Sequence, residues 1–231
     1  MKTFKLHLIR HGMTAGNLQG LYIGSGTDIP LCDEGRAQLN ELKERFEYPQ
    51  VDTVFSSPLL RAVETANILF PDAKHTFTVH DLREAGFGKF ENKPVKELVH
   101  DEDFKKWITP GSGYVPEGAE PTDQFHARCA ESLMKLFEYM IRMDVTEAAC
   151  VTHGGVIMSM LSQRAAAVTR CRPMCSCGCG TVWWKPSTSC PLAMPIPCAV
   201  RLRPRKTRPL NKDSVTVSAH PLTEAAQSFI V

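Results

Sequence analysis

Phe4-Lys5-Leu6-His7-Leu8-Ile9-Arg10-His11-Gly12 opens the chain with apolar Phe4, Leu6 and Leu8 alternating with Lys5, His7 and Ile9. A period of two that stops at a glycine reads as a strand running into a turn, which puts Arg10 and His11 at the strand's carboxyl end. A second segment has the same design. Ala148-Ala149-Cys150-Val151-Thr152 is a buried-strand run, and His153-Gly154-Gly155 then opens a helix near Val156. Both histidines therefore fall on the carboxyl edge of a sheet, where open α/β folds bind ligands beside helix N-termini that favour anions.

Between these strands the periodicity alternates. Residues 33–46 carry Ala37, Leu39, Leu42 and Phe46 at helical spacing, with Cys32 or Asp33 as the cap. Residues 51–55 are β-prone, and Ser56-Ser57-Pro58 reads as a serine-capped helix start with proline at the first position, running to Phe70 with Arg61 in its first turn. Residues 76–79 read as a strand, 81–92 as a loop containing Glu84, 94–108 as one or two short helices, and 122–143 as a long helix. Strands alternating with helices predict an α/β fold, a single three-layer domain with a mostly parallel central sheet flanked by helices.

Composition excludes little. The chain has 231 residues, 43% hydrophobic and 23% charged, with a formal charge of +2. That balance does not call for nucleic acid, and no run is long and apolar enough for a membrane span, so a cytoplasmic protein is expected. Residues 1–163 read as the domain core and 164–231 as an atypical tail. No acidic residue stands between Glu147 and Asp213, while ten Lys or Arg and seven Pro lie between Arg164 and Lys212. Six of the nine cysteines cluster between Cys171 and Cys198. Their one-residue spacings at Cys175, Cys177 and Cys179 are poor for a zinc knuckle, so no metal site is expected there. The tail reads either as chain with little secondary structure or as a stretch translated out of frame, with a terminal strand resuming near 214–217.

Hydrolysis of a phosphate ester without a metal needs a nucleophile, cations for the phosphoryl oxygens and an acid for the leaving alkoxide. Each role has a candidate. His11, neutral, can attack phosphorus; Arg10 and Arg61 offer planar forks, His153 a further donor and Asn17 an amide; Glu84 can be the acid. Singly, each has a commoner structural reading: a hydrogen-bonded histidine, a solvated arginine, a surface ion pair, a turn asparagine. Their order along one chain is what selects the chemical reading.

That order resembles the histidine phosphatase superfamily, also called phosphoglycerate mutase-like. Leu8-Ile9-Arg10-His11-Gly12-Met13-Thr14 with Asn17 resembles its first signature, and Gly24 with Asp28-Ile29-Pro30-Leu31 and Glu34-Gly35-Arg36 the approach to its first helix. Ser56-Ser57-Pro58-Leu59-Leu60-Arg61 is similar to the second signature, Leu82-Arg83-Glu84 with residues 86–91 to the acid loop, and Val151-Thr152-His153-Gly154-Gly155 to the last. The resemblance covers residues 4–161. It implies that His11 carries a transient phosphoryl group, that Arg10, Asn17, Arg61 and His153 line the phosphate pocket, and that Glu84 is general acid and then base. It implies no metal or organic cofactor, and a small phosphorylated metabolite as the partner.

Within the family, the 69 residues from Glu84 to His153 look more like the compact phosphatases than the mutases, which carry a longer insertion there. Tyr22-Ile23-Gly24 with Thr27-Asp28-Ile29-Pro30-Leu31 resembles bacterial members, including phosphatases that act on α-ribazole phosphate. Phe104, Trp107 and Tyr114 are candidates for the leaving-group pocket or simply core. The rival readings are mutase-type phosphoryl transfer and a non-catalytic phosphate-binding relative.

Overall fold

The computed structural model describes residues 2–169, 199–202 and 213–219. Strand β1 (Lys2–Arg10) pairs in parallel with β4 (Glu147–Thr152), with Arg10 opposite Thr152. On the other side of β4 lies β2 (Thr53–Ser56), which pairs in parallel with the exposed edge strand β3 (His75–Thr78). Beyond β1 come β6 (Asp213–Ala219), parallel to it, and β5 (Ala199–Leu202), antiparallel to β6. The sheet order is β3-β2-β4-β1-β6-β5. β6 occupies the segment expected as a terminal strand, whereas the cysteine cluster from Cys171 to Cys198 lies outside the described residues.

Alternation along the strands assigns the two faces. Phe4, Leu6 and Leu8 of β1, Phe55 of β2, and Ala148 and Cys150 of β4 pack with α6 (Thr122–Arg142) and α7 (Gly154–Thr169). Their neighbours Ile9, Val54, Ala149 and Val151 point the other way, onto α2 (Asp33–Arg45) and α3 (Leu60–Leu69). Burying both faces of a parallel sheet gives near-continuous apolar strands and three layers. Helices α2 and α3 follow β1 and β2 on one face, and α6 brings the chain back on the other so that β4 inserts between β2 and β1. All three strands then end together, at the same edge.

Local rules explain most boundaries. In α2, Asp33 and Glu34 stand in the first turn and Lys43 and Arg45 in the last, matching the helix dipole. The Cys32 sulfur accepts from the Gly35 amide at 3.3 Å as its cap. Asn17 does not sit in a plain turn: it closes a capping box with Thr14 on the short helix α1 (Ala15–Leu18). The loop expected over 81–92 contains two single 3₁₀ turns, His80–Leu82 and Gly88–Phe90, and residues 94–108 form the two short helices α4 (Val95–Leu98) and α5 (Glu102–Ile108).

The start of α3 corrects the sequence reading. Its N-cap is Leu59, with no side-chain cap, rather than a serine followed by proline. The Ser57 hydroxyl does accept from the Leu59 amide at 3.3 Å, but it is also engaged by His153 at 2.7 Å. The first helical amide, Leu60 N, donates instead to the carboxylate of Asp28 at 2.7 Å, an acid 32 residues earlier. A tertiary partner has taken over a role that the local pattern gave to serine.

Gly35 is where α2 meets the loop after His11. In a helix, alanine ordinarily exceeds glycine by roughly 1 kcal/mol. At this position an added Cβ would land on the carbonyl oxygen of Met13, inside van der Waals contact with fixed backbone. Gly35→Ala is therefore expected to destabilise the protein by about 1–3 kcal/mol, read as a lower denaturant midpoint at unchanged slope. A midpoint equal to or above that of the parent would contradict this packing.

Candidate active site

The three strand ends are stitched by backbone hydrogen bonds from His11 N to Thr152 O and from Ser57 N to Val151 O, each 2.9 Å. His11 and His153 consequently lie side by side, with ring centroids 5.1 Å apart. Gly12 behind His11 donates its amide to Thr65 Oγ1 at 2.9 Å, and the Thr65 hydroxyl in turn donates to Arg61 O at 2.6 Å. This relay ties the turn of the first motif to helix α3. Thr65 was not singled out from sequence; its position one helical turn after Arg61 is the signal that could have found it.

The protonation pattern follows from the partners. His11 Nδ1 lies 2.7 Å from the Gly12 carbonyl oxygen, which can only accept, so Nδ1 carries the proton and a neutral ring keeps its lone pair on Nε2. Burial, then Arg10 and Arg61, hold the His11 pKa well below the ordinary value, although the bond to Gly12 opposes them. His153 is fully buried, with Nε2 on the Ser57 hydroxyl. That hydroxyl also accepts from Leu59 N; when it gives its own hydrogen to Nε2, the ring proton resides on Nδ1. Nδ1 is buried and has no hydrogen-bond partner among the described residues. A buried ring nitrogen left open beside a second imidazole is a place for a hydrogen-bond partner from outside the protein.

Arg61 is 1% exposed. Two of its nitrogens donate to Thr27 O at 2.9 Å and Gly24 O at 3.0 Å, which among the described residues leaves three of the five guanidinium hydrogens uncommitted. Glu91 holds the same 24–27 loop from the other side, accepting from the amides of Gly24 and Gly26 and from Thr27 Oγ1, each at 3.0 Å. Arg10 lies against Gly154 at the start of α7 and makes no protein hydrogen bond among the described residues. Burial lowers the pKa of both arginines, and Glu84 offsets this.

Glu84 is buried, and its two oxygens accept from the amides of Ala85 and Gly155, each at 3.0 Å. Burial pushes its pKa above the ordinary carboxyl value, against those two amides and the charges of Arg61 and Arg10. The structure thus brings Arg10, His11, Arg61, Glu84 and His153 into one electrostatic cluster. Asn17 stands apart from it in its contacts: its carbonyl oxygen accepts from Thr14 N at 3.1 Å and Thr14 Oγ1 at 2.9 Å. Its backbone amide donates to Thr14 Oγ1 at 3.3 Å, while the side-chain Nδ2 makes no hydrogen bond among the described residues.

Beside Glu84, Tyr22 stacks on Phe87 at 4.1 Å and meets Trp107 edge-on at 6.0 Å. Phe87 packs against Gly24, whose carbonyl binds Arg61. Trp107 is half-buried in this wall, whereas Phe104 is wholly buried behind it as core, and Tyr114 lies away from it, with the Lys89 ammonium 5.8 Å from its ring and its hydroxyl bonded to Asp103. Among the described residues no group of three or more His, Cys, Asp or Glu could hold a metal ion, and no helix is long and apolar enough to cross a membrane.

A sheet edge with two neutral imidazoles, two arginines, a buried carboxyl and a helix N-terminus defines an anion-binding α/β protein. The chain belongs to the histidine phosphatase superfamily, whose branch 1 model matches residues 6–170. It is 34% identical over 151 residues to fructose-2,6-bisphosphatase TIGAR B of Danio rerio, a match spanning 61% of this chain and 56% of that protein. It is 28% identical over 162 residues to the adenosylcobalamin/alpha-ribazole phosphatase of Salmonella typhimurium, covering 69% and 78%. The crystal structure of the alpha-ribazole phosphatase from Shigella flexneri superposes with a TM-score of 0.59 at 27% identity, over 71% of this chain and 79% of that one. The matched region is thus only about half the length of the TIGAR relative.

The buried histidines give the site a pH signature. Each ring is neutral in the folded protein and takes a proton near the ordinary 6.5 when unfolded. The unfolded state therefore binds more protons below that pH. Stability from these rings is full above 6.5 and is lost as pH falls towards their folded values, by up to about 1.4 kcal/mol per pH unit for each ring. Glu84 works the other way: its contribution is full below the ordinary 4.5 and lost as pH rises, so it offsets part of the slope where the windows overlap. Denaturation between pH 7.5 and 5.5 is expected to show falling stability in the parent and a shallower fall in His11→Asn. Parallel curves would mean that His11 is not held neutral.

Proposed function

We propose that the protein hydrolyses phosphomonoesters through a phosphohistidine on His11, with Glu84 as general acid and then base and with no metal. The observation that carries this reading is the Nδ1 bond of His11 to Gly12 O, which leaves Nε2 as an unprotonated nucleophile within a cationic, buried edge.

In this scheme the phosphoryl oxygens lie on the free hydrogens of Arg61 and Arg10, on His153 Nδ1 and at the N-terminus of α7, with the Asn17 amide as a further donor. His11 Nε2 attacks phosphorus in line. As the bond from phosphorus to the ester oxygen breaks, Glu84 gives its proton to that oxygen, and an alcohol departs. Burial supports the protonated acid that this step needs. Water then attacks the phosphohistidine while the Glu84 carboxylate takes its proton, which frees inorganic phosphate and restores both groups. Residues 1–163 carry every group in the scheme.

For the substrate, the wall of Tyr22, Phe87 and Trp107 beside Glu84 supports a leaving group with apolar surface. We therefore favour an ester of the α-ribazole phosphate kind over a sugar bisphosphate. The short stretch between Glu84 and His153 supports release to water over return of the phosphoryl group to a sugar acid.

Phosphate release from α-ribazole phosphate, p-nitrophenyl phosphate and 3-phosphoglycerate tests this. The parent is expected to form an acid-labile, alkali-stable phosphoenzyme and to turn over, and His11→Ala is expected to lose turnover by on the order of 10³-fold or more. A His11→Ala protein that hydrolyses these esters at near the parent rate would sink the assignment.

A further inference from the structure

The loop that bears Glu84 is held from β4 by the Thr152 hydroxyl on Leu82 O and from α6 by Arg128. Arg128 stands on α6, whose Cys129, Leu133, Leu136 and Met140 are anchored in the core. A guanidinium has five N–H donors, and in Arg128 all five are used. Nε donates to Glu120 Oε1 at 2.6 Å, and Nη2 to Glu120 Oε2 at 2.7 Å and to the Glu84 carbonyl oxygen at 3.0 Å. Nη1 donates to the carbonyls of Asp81 at 2.7 Å and Arg83 at 2.8 Å.

Three of those acceptors are backbone oxygens within a span of four residues that ends at Glu84 itself. Glu120 completes the hold, since its own amide donates to Gly86 O at 2.9 Å. The guanidinium lies 4.9 Å from the Phe125 ring, one turn earlier on the same helix. The Arg128 and Glu120 side chains are only 11% and 15% exposed, so their pair is not a solvated surface bridge. A planar fork that satisfies a carboxylate and three carbonyls at once cannot be copied by lysine, which has three donors on a single nitrogen.

We infer that Arg128, locked by Glu120, is a positioning residue: it sets the 81–86 backbone so that the Glu84 carboxyl stands where it can protonate the leaving oxygen. The inference rests on the acid role proposed for Glu84. Among the described residues neither side chain hydrogen-bonds the His11 or His153 ring; the Arg128 charge is felt at His153 and Glu84, and Arg128→Lys keeps that charge while it breaks the hold on the loop. Displacement of a catalytic group by about 1 Å can cost on the order of 10²-fold.

The test compares leaving groups. Removing or misplacing a general acid harms an ester whose alkoxide is a poor leaving group far more than one whose leaving phenolate needs little protonation. kcat/KM is to be measured on phenethyl phosphate and p-nitrophenyl phosphate for the parent, Glu84→Gln, Arg128→Lys and Glu120→Gln. The last is the milder change, should Arg128→Lys fold poorly. Near-ultraviolet circular dichroism checks folding in every case. For Arg128→Lys and Glu120→Gln, the loss on the alkyl ester is expected to exceed that on the nitrophenyl ester by about tenfold or more, in the same sense as for Glu84→Gln. Equal losses on both esters in the two clasp variants, with Glu84→Gln still discriminating, would overturn the positioning role alone. Equal losses in Glu84→Gln would overturn the acid assignment, and the positioning role with it.

Discussion

Charge buried at the end of a sheet must be compensated where it lies, because an ion stripped of water and left unpaired costs several kcal/mol. At the carboxyl edge of β1, β2 and β4, Arg61, Glu84, His11 and His153 are all withdrawn from solvent within one small region. Two carbonyls meet Arg61, two amides meet Glu84, and both imidazoles stay neutral. Among the described residues, what remains uncompensated is directional: unspent guanidinium hydrogens, the open Nδ1 of His153 and the lone pair on His11 Nε2. An arriving anion would complete a set of interactions that the fold leaves open on one side.

The surroundings make that arrangement rigid. Thr65 pins the Gly12 turn to α3, Thr152 donates its hydroxyl to the Leu82 carbonyl at 2.7 Å and ties β4 to the acid loop, and Glu91 and Arg61 grip the 24–27 segment between them. Each tie joins segments far apart in sequence. Tight approach replaces side chains where space runs out: an added Cβ at Gly155 would meet the Glu84 carboxylate at 2.5 Å. The second glycine of the last motif is thus a consequence of where the acid stands.

Fold class was legible because strand and helix periods are local and strong here. The period-two run of β1 and the 3.6 period of α6 each bury one continuous face. The start of α3 was less legible, since Ser57 satisfies a distant histidine and Asp28 supplies the cap from another segment. Sequence reasoning named the six site candidates by residue type and order. It missed Thr65, Glu91, Glu120 and Arg128, whose partners are mainly backbone atoms that no side-chain motif advertises.

What the sequence by itself determined was a parallel α/β sheet with two histidines at strand ends, and membership of a family through the order of its motifs. Those features depend on side-chain period and on residue identity, both of which are properties of short stretches. Only the tertiary structure decided which ring nitrogen of His11 is free, that Glu84 is buried against α7, and that Arg128 holds the acid's backbone. Tautomer, burial and a saturated guanidinium depend on atoms brought together from β1, α6, α7 and the acid loop, and no local pattern carries that distance.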